Sequence, residues 1–207
     1  MAARFFVNGG VDNLWTTIGN WSTTSGGAGG SSAPGGSDDV TFDTNSPNCT
    51  IPGTAARSAL SITATNYTNQ LTMSSAVTVG ANITLGAGMQ PILGNGYFQL
   101  NPSVSMTITS NGIAIPNIRL VGNGKTYVLA DNLTVSGEFY INATLSSGVI
   151  LNGNTLTILG YLNIYNTAMT GTTIINYKAP FGFYTLSGGT IANTLNITGA
   201  TRGNVLN

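Results

Sequence analysis

Leu133-Thr-Val135-Ser-Gly137-Glu-Phe139-Tyr-Ile141 is written again a short way along the chain as Leu156-Thr-Ile158-Leu-Gly160-Tyr-Leu162-Asn-Ile164. Each copy is two bursts of strict apolar/polar alternation joined across a glycine. A period of two marks a half-buried strand, and glycine is least costly where the backbone must bend or take positive φ. Looser copies stand at Val77-Thr-Val79-Gly80-Ala-Asn-Ile83-Thr-Leu85 and at Leu195-Asn-Ile197-Thr-Gly199. The steps from Gly137 to Gly160, from Gly160 to Gly199 and from Gly80 to Gly137 lie near one, two and three units of roughly twenty, a period typical of solenoids. The register predicts a coil of stacked strands.

From Asn48 onward the chain reads as short strands separated by turn chemistry at Asn95-Gly96, Asn111-Gly112, Asn123-Gly124, Ser147-Gly148, Asn152-Gly153 and Ser187-Gly188. No window carries the apolar stripe of a helix, so helix is expected to be negligible. Two all-β architectures fit. Asn-Gly between strands is the usual hairpin signal and points to an antiparallel β-sandwich. The repeat, the very short strands and the Leu, Ile and Val at inward positions point to a parallel β-helix, right-handed by the crossover rule. The solenoid is the expectation and the sandwich the alternative.

Only 6% of the residues are charged, six acids against six bases for a net charge of zero, where ordinary soluble domains carry about 25%. Asn, Thr, Ser and Gly take their place. In a solenoid such residues pair with their copies in adjacent turns, whereas a file of like charges would repel. No basic footprint for nucleic acid or an anionic membrane is visible. No apolar run approaches the ~18 residues of a membrane span, and the start is too short for a secretory signal. With no histidine and a single cysteine, Cys49, the chain lacks Ser-His-Asp and Cys-His catalysis and an intrachain disulfide. Cys49 is expected to be a small buried apolar residue. Neither a cofactor nor a catalytic set is expected.

The division expected is a cap or attachment segment over residues 1–47 and a solenoid over 48–207. The first segment holds Phe5, Phe6, Trp15 and Trp21, and a Gly/Ser/Ala run over 25–37 that reads as a loop or linker. Solenoids close their exposed first turn with an atypical cap; the four aromatics are assigned to it, or else to docking a neighbouring protein. Asp38, Asp39 and Asp43 form the only acidic cluster. Three carboxylates with loop carbonyls would suit Ca²⁺, but turn residues on either side of a strand at Val40 to Phe42 are the stronger reading. The last residues keep the strand pattern without a capping signal, so another chain, or further polypeptide past Asn207, is expected to cover that end.

Arg4-Phe-Phe-Val-Asn-Gly-Gly10, Asn20-Trp-Ser22, Ser25-Gly-Gly-Ala-Gly-Gly30, Pro34 and Asp38-Asp-Val-Thr-Phe-Asp43 resemble the start of β-helical virion structural proteins of tailed bacteriophages, the tail-fibre-like class. The Thr/Asn/Gly rungs that follow are similar to the body of those proteins. The resemblance implies a virion component made in the host cytoplasm. Its implied partners are other virion proteins and further copies of itself, a trimer being favoured. It brings no catalytic residue.

A non-enzymatic structural role in a phage particle is therefore the leading expectation, as a tail-fibre-like or head-decoration protein that contacts a host surface glycan. A polysaccharide-cleaving tail spike is an alternative. It would need two carboxyls about 5 to 9 Å apart, and outside the N-terminal cluster and Asp12 only Asp131 and Glu138 remain, read as a turn residue and an outward strand position. A bacterial β-solenoid adhesin is another, and would need an export signal. For glycan contact the candidates are Tyr161, Tyr165, Tyr177 and Tyr184, with Phe181 and Phe183, half of which are expected to fill the core. Thr63-Ala-Thr65 and Thr107-Ile-Thr109 suit an ice-binding array, but such pairs do not recur once per turn.

Overall fold

The computed structural model describes residues 1–165 apart from 8, 11 and 143–147, and after them the backbone of six strand segments between Ala168 and Leu206. From Asp39 the chain repeats a lap of three short strands. Asp39–Thr41, Cys49–Ile51 and Arg57–Ala59 make one lap. Ser61–Thr63, Leu71–Met73 and Val77–Val79 lie on them in parallel, with Val40 against Ile62, Cys49 against Leu71 and Arg57 against Val77. Lap length varies around the coil, from the short step that sets Ile175 on Leu156 to the long one that sets Ile108 on Ile83. Among the described residues the strands form sheets of ten, eight, four and two. Isolated parallel bridges from Thr72 to Leu93 and from Ile115 to Val135 extend the two smallest toward one another along a third face. The protein is a three-sided parallel β-solenoid. Its one antiparallel pairing among the described strands is Ala3–Phe6 against Trp21–Ser22, and with it the sandwich alternative falls.

Such short strands suffice because each needs only two inward side chains. Val77–Val79, Phe98–Leu100 and Ile118–Leu120 all read buried, half-buried, buried. Parallel register then sets Val77, Phe98, Ile118, Phe139 and Leu162 in one buried file. A full apolar side chain withdrawn from water contributes about 1.5 to 3 kcal/mol, so a file of five is the main cohesive element of that face.

The corners explain the asparagines. Where a strand ends, the parallel ladder stops and backbone groups lose their partners. Asn48, Asn82, Asn117 and Asn132 each accept, through Oδ1, the backbone N–H of a residue one lap on: Gln70 at 3.0 Å, Thr107 at 2.9 Å, Glu138 at 2.7 Å and Thr155 at 2.8 Å. Asn69, Asn111 and Asn154 donate through Nδ2 to carbonyls of the lap before, those of Ser46, Leu85 and Leu129. These asparagines thus bond the neighbouring backbone, not their own copies as composition suggested. Threonine does stack on threonine: Thr41, Thr63, Thr84 and Thr109 share one outward file.

The two tight repeats are one lap apart, with Leu133 on Leu156, Val135 on Ile158 and Glu138 on Tyr161. Gly160 rests directly on the Gly137 carbonyl, where a Cβ has no room. The copy at Leu195 shares their file, through Ile175. The copy at Val77 does not. It turns the corner from the eight-stranded to the ten-stranded sheet, whereas Leu133 turns the one from the third face to the eight-stranded sheet. Alternation on both sides of a glycine looks alike at either corner, so the step from Gly80 to Gly137 equated unlike corners.

Strands from the expected cap segment belong to the same ten-stranded sheet as the body, since Ala3–Phe6 pairs in parallel with Asp39–Thr41, and that strand with Ser61–Thr63. Phe6, Trp15, Trp21, Phe42 and Tyr67 are buried together, with neighbouring ring centroids 4.9 to 6.3 Å apart. Trp21 Nε1 donates to the Trp15 carbonyl at 2.7 Å. A single 3-10 turn, Ile18–Asn20, is the helix found among the described residues. The Gly/Ser run is no loose linker. Gly30 N–H donates to the Ile18 carbonyl at 3.3 Å and Ser31 N–H to that of Trp21 at 2.9 Å. Gly9, Gly19 and Gly29 meet backbone to backbone beneath it, so closely that a Cβ on Gly29 would overlap the Gly19 carbonyl.

Candidate functional site

The three faces differ in what they show to solvent. Thr41, Thr63, Thr84 and Thr109 line one, and Thr50 with Thr72, then Thr134 with Thr157, line another. The eight-stranded sheet begins in the same way with Ser58 and Thr78, then changes character: Gln99, Arg119, Tyr140 and Asn163 follow in the same file. In the file beside it Glu138 is in register with Tyr161, which is 49% exposed.

Arg119 is the hub of this strip. Its guanidinium carbon lies 4.1 Å from the Tyr97 ring centroid and 5.6 Å from that of Tyr140. Its Nε and Nη2 both donate to Glu138 Oε2 at 3.1 Å. Asn163 Nδ2 donates to the other carboxylate oxygen at 3.1 Å, and Asn117 fixes the Glu138 backbone. The planar guanidinium suits stacking and forked pairing at once. Arg119 and Glu138 side chains remain 39% and 24% exposed, and a pair so placed contributes only about 0 to 1 kcal/mol. What it secures is orientation: rings, guanidinium, carboxylate and carboxamide are held on one outward strip, with their charges cancelled.

The acids singled out in the sequence each bond groups of the fold. Asp131 stands at a corner and accepts from Ser110 N–H at 2.9 Å, from the Ser110 hydroxyl and from Asn111 N–H, while Glu138 belongs to the strip. Asp38 accepts from Gly35 N–H, Asp39 from the Ser61 hydroxyl, and Asp43 from Asn45 N–H at 2.8 Å. Among the described residues no three metal-ligating side chains come together. Asp12 takes the Leu14 N–H at 3.0 Å, the Thr17 hydroxyl at 3.0 Å and Asn20 Nδ2. These bonds, that from Leu14 foremost, hold its carboxyl below the usual carboxylate range. Cys49 is buried and burial pushes its thiol up; Tyr67, whose hydroxyl donates to Pro47 and Gln70 carbonyls, is pushed up for the same reason.

Of the cap candidates, Phe6, Trp15 and Trp21 are fully buried and Phe5 half-buried. The three buried rings therefore have no surface for a partner. Of the glycan candidates, Tyr161 lies on the strip. Tyr165 follows on the same strand, in register with Asn142 and Ser187. Tyr177 and Tyr184 occupy files whose members one lap earlier, Ile158 and Leu162, are buried; their side chains, and Phe181 and Phe183 altogether, lie outside the described residues. Tyr97, Arg119 and Tyr140 were missed in the sequence. Laying the laps over one another at the solenoid period would have put Gln99, Arg119 and Tyr140 side by side.

A shallow recess of about 370 Å³ opens on the head between Val7, Gly9, Asn45 and the Gly26–Gly29 segment. No helix among the described residues is long and apolar enough to cross a membrane. No protein-family model, curated protein or solved structure matches the chain.

Proposed function

We propose that this chain is a non-enzymatic structural component of a tailed-phage virion, a tail-fibre-like or head-decoration rod that assembles with other virion proteins and with its own copies as a trimer. The observation that supports this most is a parallel coil whose N-terminal lap is plugged by packed aromatics, together with the N-terminal motifs that resemble virion proteins. The use of the carboxylates agrees with it. All six acids of the chain, Asp12, Asp38, Asp39, Asp43, Asp131 and Glu138, bond neighbouring groups of the fold.

The test is immunogold electron microscopy of purified particles, with light scattering on the isolated protein. Label at fixed positions on particles and a stable oligomer are expected. A free monomer absent from particles would overturn the reading.

A further inference from the structure

We infer that the outward strip of the eight-stranded sheet, centred on Arg119, is a binding site for a linear, uncharged saccharide lying along the coil axis. The inference deepens the virion reading by naming what such a rod would hold, but its observations are independent of where the protein resides.

The strip departs from the rest of the surface in kind. A solenoid needs only small polar side chains on its outer files, and on the other faces threonine fills most of these positions, with Val128 and Ile150 in register on the ten-stranded sheet and no aromatic or charged side chain between them. On this face two tyrosines, an arginine and a glutamate occupy successive laps, flanked by Gln99 and Asn163. Stacking alone does not call for that set, because Thr78 sits in the same file without it.

The chemistry selects the occupant. Sugar rings have an apolar C–H face and an equatorial rim of hydroxyls. The first packs on aromatic rings, and the second pairs with planar groups that donate and accept in pairs. Tyr140 and the half-exposed Tyr161 supply the rings, and Arg119, Glu138, Gln99 and Asn163 supply the planar groups. Arg119 already spends its charge on Glu138, so the strip offers no net field to a polyanion. A nucleic acid would demand unpaired cations; tyrosine and arginine are also favoured at protein interfaces, so loss of the stable oligomer in Tyr161→Ala, with no saccharide bound by the wild type, would overturn the inference. Successive laps repeat every ~4.8 Å along the coil axis, which suits an extended polymer over a compact ligand. Arg119 and Glu138 are held in place before any ligand arrives, so little side-chain freedom remains to be lost on binding.

The experiment is an array of linear neutral hexasaccharides of glucose, galactose, mannose and N-acetylglucosamine, with polygalacturonate and single-stranded DNA as charged controls, probed with the full-length protein. The strongest neutral binder is then titrated calorimetrically against Tyr140→Ala, Arg119→Gln, Tyr161→Ala and, on another face, Thr63→Ala. Binding to at least one neutral series is expected. Each strip variant should weaken it roughly tenfold or more, Thr63→Ala should leave it unchanged, and the melting curves should stay cooperative. Tyr161→Ala, at an exposed position, keeps the test valid where Arg119→Gln fails to fold. No binding, binding to the charged controls alone, or binding equally reduced by Thr63→Ala would overturn the inference. Particle labelling is read separately, so either proposal can fail alone.

Discussion

Asn117 accepts the backbone N–H of Glu138 through Oδ1 at 2.7 Å, one lap further along the chain, and returns Nδ2 to the Gly96 carbonyl at 3.0 Å on the lap before. One side chain thus ties three laps together at a corner where the sheet ladder has stopped. It also sets the backbone that presents Glu138 to Arg119. Asn117→Ala removes partners from a donor and an acceptor. We expect a loss of about 1 to 3 kcal/mol in chemical denaturation, and an unchanged midpoint would contradict this use of the corner asparagines.

The glycine contact in the head makes a sharper demand. A methyl group at Gly29 meets the Gly19 carbonyl, and that atom is backbone on a segment fixed from both sides. Gly29→Ala should destabilise the head by about 1 to 3 kcal/mol. Near-ultraviolet dichroism of Trp15 and Trp21 should weaken while the β signal of the body remains. Retention of the tryptophan bands at full strength would show that the strap tolerates a side chain.

Acid should loosen the same head. The folded carboxyl of Asp12 lies below its ordinary value, so the ionised form is favoured by folding. This contribution is fully present above the unfolded value near ~4 and is lost as pH falls through the lower folded value. Tryptophan fluorescence of the wild type should therefore report a weaker head below about pH 4. Asp12→Asn should start weaker and lose part of that dependence. Identical acid profiles for the two proteins would remove Asp12 from the explanation.

Cys49 should be silent in the native state. It is 1% exposed, and burial raises its thiol, so both access and thiolate are wanting. A disulfide exchange reagent should titrate no thiol in buffer and one per chain in denaturant. Rapid labelling of the native protein would mean that the Cys49–Ile51 lap opens readily.

The repeat was legible because it is written in residues that must face inward. Leu133, Val135, Leu156 and Ile158 alternate so strictly that the step from Leu133 to Leu156 is the lap itself. The likeness of Val77-Thr-Val79-Gly80 to these was deceptive, since an alternating strand carries no mark of which face it occupies. The head was half legible. Four aromatics in a short segment had to be buried, and three are wholly so. The Gly/Ser run reads as a loop or a linker from composition, and it is a loop; that it is a fastened one leaves no signal until Gly9, Gly19 and Gly29 are seen to meet. Asp131 and Glu138 were placed correctly as a corner and an outward residue. Tyr97, Arg119 and Tyr140, grouped beside Glu138, belong to no local motif, and only the stacking of laps brings them together.

Adjacency of laps can be measured directly. In a Cys49→Ala background, Thr63→Cys with Thr84→Cys places two thiols in one outward file on neighbouring strands, whereas Thr63→Cys with Thr109→Cys places them two laps apart, about 10 Å. Dibromobimane fluoresces when both of its arms are captured by nearby thiols. Rapid fluorescence from the first pair and little from the second is the expected result; equal signals, or a stronger one from the second, would contradict the parallel coil on which the rest depends.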